Sequence, residues 1–186
     1  MILAGCVTET VNHSDDGKRY LDKQINEIVA RLPNQDGMDL YADISHLVAF
    51  GNFAVDPMIE CLDSDNSQVR SSAALVLGQL KAGKALDKLI RVAFNDENKL
   101  VKLEAARAVL DIGKWDTIPV LIDGLDDGQI STRQLCEWAL ETKTGESFGY
   151  AFDAPEEERL ASIEKWQEWW RLKIEDPTFR DNLAVQ

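Results

Sequence analysis

Apolar residues in this chain recur at i, i+4, i+7, i+8 and i+11, the mark of a helix that buries one face with a 3.6-residue period. One such row is Val69, Ala73, Val76, Leu77 and Leu80, and the next is Val101, Ala105, Ala108, Val109 and Ile112. A third, Thr132, Cys136, Ala139, Leu140 and Lys143, keeps the spacing but weakens at both ends. A degenerate copy runs through Leu40, Ile44, Leu47, Val48 and Gly51, after a helix with Leu21, Ile25, Ile28, Val29 and Leu32 on one face. No stretch alternates apolar and polar positions long enough to build a sheet, so the pattern predicts an all-α chain.

The rows belong to a larger period. Gly51, Gly83 and Gly113 each open a segment, with Pro57, Leu89 or Pro119 six residues later, and Val69-Arg70, Val101-Lys102 and Thr132-Arg133 recur at spacings of 32 and 31 residues. Each segment reads as two helices, giving four pairs in all. The turns inside the pairs are polar: Asp63-Ser64-Asp65-Asn66, Asn95-Asp96-Glu97-Asn98 and Asp126-Asp127-Gly128. Asp and Asn there are expected to cap the following helix, at about 1 kcal/mol each. Pro57 and Pro119 are placed in the first turns of their helices, where a missing N–H is harmless.

Two helices per unit, the leading glycine, the apolar-Arg/Lys pair and the alanines Ala73 and Ala105 resemble the HEAT-repeat family over roughly residues 38 to 145. The resemblance implies an α-solenoid in which first helices form the convex side and second helices line the concave side. It also implies that Arg70, Lys102 and Arg133 pair with an aspartate of an adjacent turn, as a ladder between repeats. The expected organisation is a flexible tether over 1–17, helical repeats over 18–145, and a capping segment and tail over 146–186.

After Thr144 the period stops. Asp153-Ala154-Pro155-Glu156 reads as a helix start with aspartate as cap, and the helix that follows carries Leu160, Ile163, Trp166, Trp169 and Trp170. With Phe148-Gly149-Tyr150 before it, this block resembles the closing segment of many bacterial HEAT-repeat proteins. A Trp-rich helix is expected to cap the solenoid's open end. Trp166 and Trp170 are expected to bury with Ile163 and Ile174, and Trp169 to stay partly exposed; an aromatic ligand platform is the other reading of the block.

The net charge of −13, from 20 Lys+Arg against 33 Asp+Glu, disfavours phosphate backbones and anionic lipid, so no nucleic-acid partner is expected. Three cysteines are too few and too scattered for a disulfide framework or a zinc knuckle; Cys61 and Cys136 sit in apolar helical rows as core thiols. The opening Leu3-Ala4-Gly5-Cys6 resembles the lipobox of bacterial lipoproteins, which implies lipidation at Cys6. Only five residues precede that cysteine, too few for a full signal. The expectation is therefore an envelope lipoprotein, anchored to a membrane only through Cys6, if the start lies further upstream, and a cytoplasmic protein otherwise.

The chemistry inventory is thin. The chain has two histidines, His13 and His46, and neither precedes a carboxylate. HEAT-like diiron hydroxylases of protein lysines carry repeated His-Glu dipeptides as metal ligands, and this sequence has none. The Asp63-Ser64-Asp65-Asn66 run starts like a calcium loop but has Ala74 where the bidentate glutamate belongs. No nucleophile motif or phosphate loop occurs. The chain is thus expected to be non-enzymatic, with no metal and no cofactor.

What remains is surface. Counting 100° per residue, the outward side of the second helices carries Leu75, then Leu103, Arg107 and Asp111, then Gln134, Trp138 and Glu141. Leu75, Arg107 and Trp138 occupy equivalent places, and Trp with Arg is the pairing enriched in binding hot spots. Trp138 either joins a partner-binding face or packs beneath the C-terminal segment. The function expected is a non-catalytic scaffold or adaptor at a bacterial membrane that binds, through the concave face of the solenoid, a protein partner with a basic surface. The alternatives are a HEAT-like accessory enzyme of the bilin-lyase type and a structural subunit of an envelope complex.

Overall fold

The computed structural model describes residues 13–179, and among them there are helices, turns and no strand. Nine α-helices follow in serial order among the described residues: α1 (His13–Arg31), α2 (Gly37–Ala49), α3 (Asn52–Cys61), α4 (Ser67–Gln79), α5 (Leu86–Asn95), α6 (Lys99–Ile112), α7 (Ile118–Gly124), α8 (Ile130–Thr144) and α9 (Glu156–Glu175). The first eight form four antiparallel pairs. Second helices α2, α4, α6 and α8 pack in sequence against one another, and each pair leans on its neighbour, which makes an all-α solenoid. Position Cys6 lies outside the described residues, as does most of the expected tether; α1 already begins at His13, inside the 1–17 boundary. No described helix is long and apolar enough to cross a membrane.

The core is the periodic row. Val69, Ala73, Val76 and Leu77 of α4 are buried with Val101, Ala105, Ala108 and Val109 of α6 and with Cys136, Ala139 and Leu140 of α8. Two glycines set how closely helices meet. A Cβ on Gly78 would stand 2.8 Å from Ala108 Cα, so α4 and α6 touch backbone to backbone; a Cβ on Gly124 would fall 2.3 Å from Cys136 Sγ. Small residues at these crossings explain the tight stacking that the alanine pattern predicts.

Caps follow the polar turns in part. Asn66 accepts from the backbone N–H groups of Gln68 and Val69, and Asn98 from that of Val101. Asp127 accepts from the Gln129 N–H at 2.7 Å. Two expectations fail. Pro57 sits inside α3, because the helix starts at Asn52 directly after Gly51 (φ 58°), so the bond to the Phe53 carbonyl is missing from mid-helix. At α9 the N-cap is Pro155 with no side-chain cap, and Asp153 takes no part; Glu156, Glu157 and Glu158 still occupy the positive end of the helix dipole.

The cross-repeat ladder exists but is re-registered. Arg70 pairs with Asp96 of the next unit and also donates to the Ser64 and Asp65 carbonyls. Lys102 instead donates to the Phe94 carbonyl, and Lys99, one helical turn earlier, holds Asp127. Arg133 donates to the Asp127 and Phe152 carbonyls, both at 2.7 Å. At the far end, α9 lies against α7 and closes the array with an aromatic cluster. Phe148 and Trp166 meet edge to face at 4.8 Å between centroids, Trp166 and Trp169 at 5.4 Å, and Trp115 joins from the α6–α7 connection at 6.0 Å from Trp169. Trp166 is 1% exposed and Trp169 and Trp170 are half-buried, but Ile174, expected to bury with them, is 41% exposed.

Candidate functional site

The outward side of α6 and α8 gathers the site. Arg107 of α6 lies beside the indole of Trp138 of α8, its guanidinium carbon 5.9 Å from the ring centroid. The same guanidinium donates to Glu104 Oε2 from Nε at 3.0 Å and from Nη2 at 2.6 Å, and its Nη1 stands 3.9 Å from Asp111 Oδ2. Lys143 Nζ reaches Asp111 Oδ1 at 2.5 Å. The result is a chain of alternating charge, Glu104, Arg107, Asp111 and Lys143, that joins α6 to α8 under an open indole.

Placement explains each role. On α6, Glu104, Arg107 and Asp111 stand at i, i+3 and i+7 and so share one side. On α8, Gln134, Trp138 and Glu141 project from the outer side; Trp138 is 53% exposed, Gln134 is exposed and Glu141 half-buried. The C-terminal segment therefore does not cover Trp138, since α9 packs on α7 instead. Leu75 of α4 is half-buried one repeat earlier. Leu103 does not belong to the face. It is 3% exposed, because α7 approaches it at Gly124, where an added Cβ would stand 3.0 Å from Leu103 Cδ2.

One ionisable group was not singled out by spacing. Burial pushes the Glu137 carboxyl above its usual range, Glu141 and Asp153 push the same way, and the Phe152 N–H opposes them. Glu137 thus sits where α8 meets the C-terminal segment. Nothing in its row distinguishes it from the other acids, so only the fold reveals it. Beside the face, a hollow of about 430 Å³ runs between the starts of α6 and α8, with Leu100, Leu103 and Leu135 in its wall and the Lys99–Asp127 pair at its edge.

Comparison with known proteins places these repeats. A deoxyhypusine hydroxylase, form B, of Oryza sativa subsp. japonica is 35% identical over 104 residues, covering 55% of this chain and 34% of the enzyme. The uncharacterized phycocyanin operon protein Z of Pseudanabaena tenuis is 31% identical over 114 residues, covering 57% of this chain and 56% of that protein. Among solved structures, human deoxyhypusine hydroxylase in complex with glycerol is 22% identical with a TM-score of 0.45, covering 67% of this chain and 45% of that one. The chain thus spans about a third of the length of the hydroxylase and about half that of the operon protein.

These relatives correct the expectation of a non-enzymatic, scaffold-only protein, because curated proteins that this chain matches over about half its length are enzymes by name. A motif inventory misses this because it looks for reactive signatures, and this sequence carries none. The family model described as HEAT repeats matches residues 55–141, from α3 to α8. Over those residues the chain carries HEAT repeats.

Proposed function

We propose that the chain acts enzymatically on a side chain of another protein and holds that substrate on the α6–α8 face around Trp138. The observation that carries the reading is the likeness of about half of this chain to hydroxylases. The surface suits a basic substrate. The chain carries a net charge of −13, and Glu137 and Glu141 stand on α8 with Trp138. A cation over an open indole gains about 0.5–2 kcal/mol, and its approach is steered by the surrounding acids and weakened by salt.

For proton handling the chain offers Glu137, whose carboxyl holds its proton to higher pH than an ordinary glutamate. Neighbouring carboxylates whose environments differ are the arrangement that acid–base chemistry uses. The test compares the proteins of source cells with and without this gene by mass spectrometry. The expected result is a mass difference confined to one protein, restored by the wild-type chain and reduced about tenfold with Trp138→Ala, the loss typical of a hot-spot aromatic. Identical proteomes would overturn the reading.

The likeness to phycocyanin operon protein Z favours a second reading, an accessory enzyme that handles a chromophore for its acceptor protein. A visible absorption change on mixing the chain with a linear tetrapyrrole supports that reading, and an unchanged spectrum removes it.

A further inference from the structure

The resemblance to hydroxylases with His-Glu ligands raises the question whether the residues here fit a metal centre of that type. Neither histidine has the partner: Ser14 follows His13 and Leu47 follows His46. His46 is exposed on α2, and no group of three or more His, Cys, Asp or Glu able to hold a metal forms among the described residues. Cys136 is buried, and burial pushes its thiol up to about 12, so it supplies no thiolate near neutral pH.

The largely buried carboxylates beside Trp138 are engaged by fixed cations. Glu104 accepts from Arg107 at 2.6 Å and Asp111 receives Lys143 at 2.5 Å. A dication entering there would have to displace a guanidinium and an ammonium and then sit against their charge. Its ligands would be oxygens alone, whereas iron-type centres combine imidazole with carboxylate.

We infer that this chain holds no hydroxylase-type metal centre, and that Arg107 and Lys143 occupy the charge position beside Glu104 and Asp111 that a bound dication would otherwise take. This goes beyond the substrate reading, and either can fail without the other. The first test is metal content after expression with added iron and manganese and anaerobic gel filtration. The expected value is below about 0.1 metal per chain, because a preformed site of this kind retains its ion through such a column. Retention of half an equivalent or more of either metal overturns the inference. The second test titrates Mn²⁺ into wild type and into Arg107→Gln/Lys143→Gln, with circular dichroism to confirm that both are folded. The double variant is expected to bind Mn²⁺ at least tenfold more tightly than wild type. Equal affinities would overturn the role given to the two cations.

Discussion

Arg70 grips Asp96 with two parallel hydrogen bonds, Nε to Oδ2 at 2.7 Å and Nη2 to Oδ1 at 2.8 Å, across the boundary between the second and third helix pairs. Both side chains are less than a tenth exposed. Burial works to raise the Asp96 carboxyl, but the hydrogen bonds from Arg70 and from the Asn98 N–H outweigh it and hold the pKa below the usual 3.8. Removing one partner leaves the other charge buried and alone, so Asp96→Ala is expected to lower unfolding stability by about 3 kcal/mol. Urea denaturation at pH 7 checks the value.

The same pair sets an acid limit. A carboxyl whose folded pKa is depressed contributes stability above its unfolded value and loses it as pH falls through the lower, folded value. Asp127 behaves alike: burial raises its carboxyl, and Lys99 with the Gln129 N–H bring it below 3.8. Wild-type stability is therefore expected to be level from pH 7 to about pH 5 and to fall steeply below pH 4, while Asp96→Asn shows a shallower acid limb. Urea midpoints between pH 3 and pH 7 decide between the two profiles.

Helix contact at α7–α8 predicts a coupled pair. Gly124→Ala places a methyl on Cys136 Sγ and is expected to cost about 1–3 kcal/mol by overpacking. Cys136→Ala makes room for it, so the double variant should be more stable than the sum of the single losses predicts. A strictly additive cycle would mean that α7 moves away without help from that thiol.

Capping by α9 gives a fourth measurement. Trp166 is 1% exposed and packs edge to face on Phe148 and Trp169, so Trp166→Ala is expected to cost about 3–5 kcal/mol. Trp138 is open to solvent, so Trp138→Ala should change stability by no more than about 1 kcal/mol, the worth of its contact with Arg107. Thermal unfolding of the two variants side by side separates a structural indole from one held out for a ligand.

Thiol chemistry reports opening of the array. Cys136, fully buried with its pKa at about 12, should react with a disulfide reagent only as fast as the molecule unfolds, and half-buried Cys61 should react sooner. Labelling rates followed by mass spectrometry at pH 8 test the order.

The fold was largely legible because one periodicity controls it. Val69 to Leu77 and Val101 to Val109 bury where their spacing puts them, Leu80 and Ile112 are half-buried at the row ends, and four pairs emerge from four rows. Details that depend on neighbouring chain elements were not legible. The position of Pro57 follows from where Gly51 releases α3, and Lys99 takes Asp127 while Lys102 turns back to the Phe94 carbonyl. At the candidate site, the outward direction of Trp138 was readable by counting, but Arg107 is largely buried between Glu104 and Asp111, and Leu103 was misplaced because α7 covers it. Glu137 was invisible for a different reason: its environment is made by Phe152 and Asp153, which return to α8 only in the folded chain.

Arg133 stands where Arg70 does, yet no following pair offers it an aspartate, and it reaches the Phe152 carbonyl instead while the Tyr150 hydroxyl donates to the Leu125 carbonyl at 2.5 Å. The rung that elsewhere links one unit to the next is used here to fasten a terminus. The array is consequently sealed against growth at this end. Grafting another repeat after Thr144 would set two segments competing for the same guanidinium, so any engineered extension has to begin by releasing Phe152.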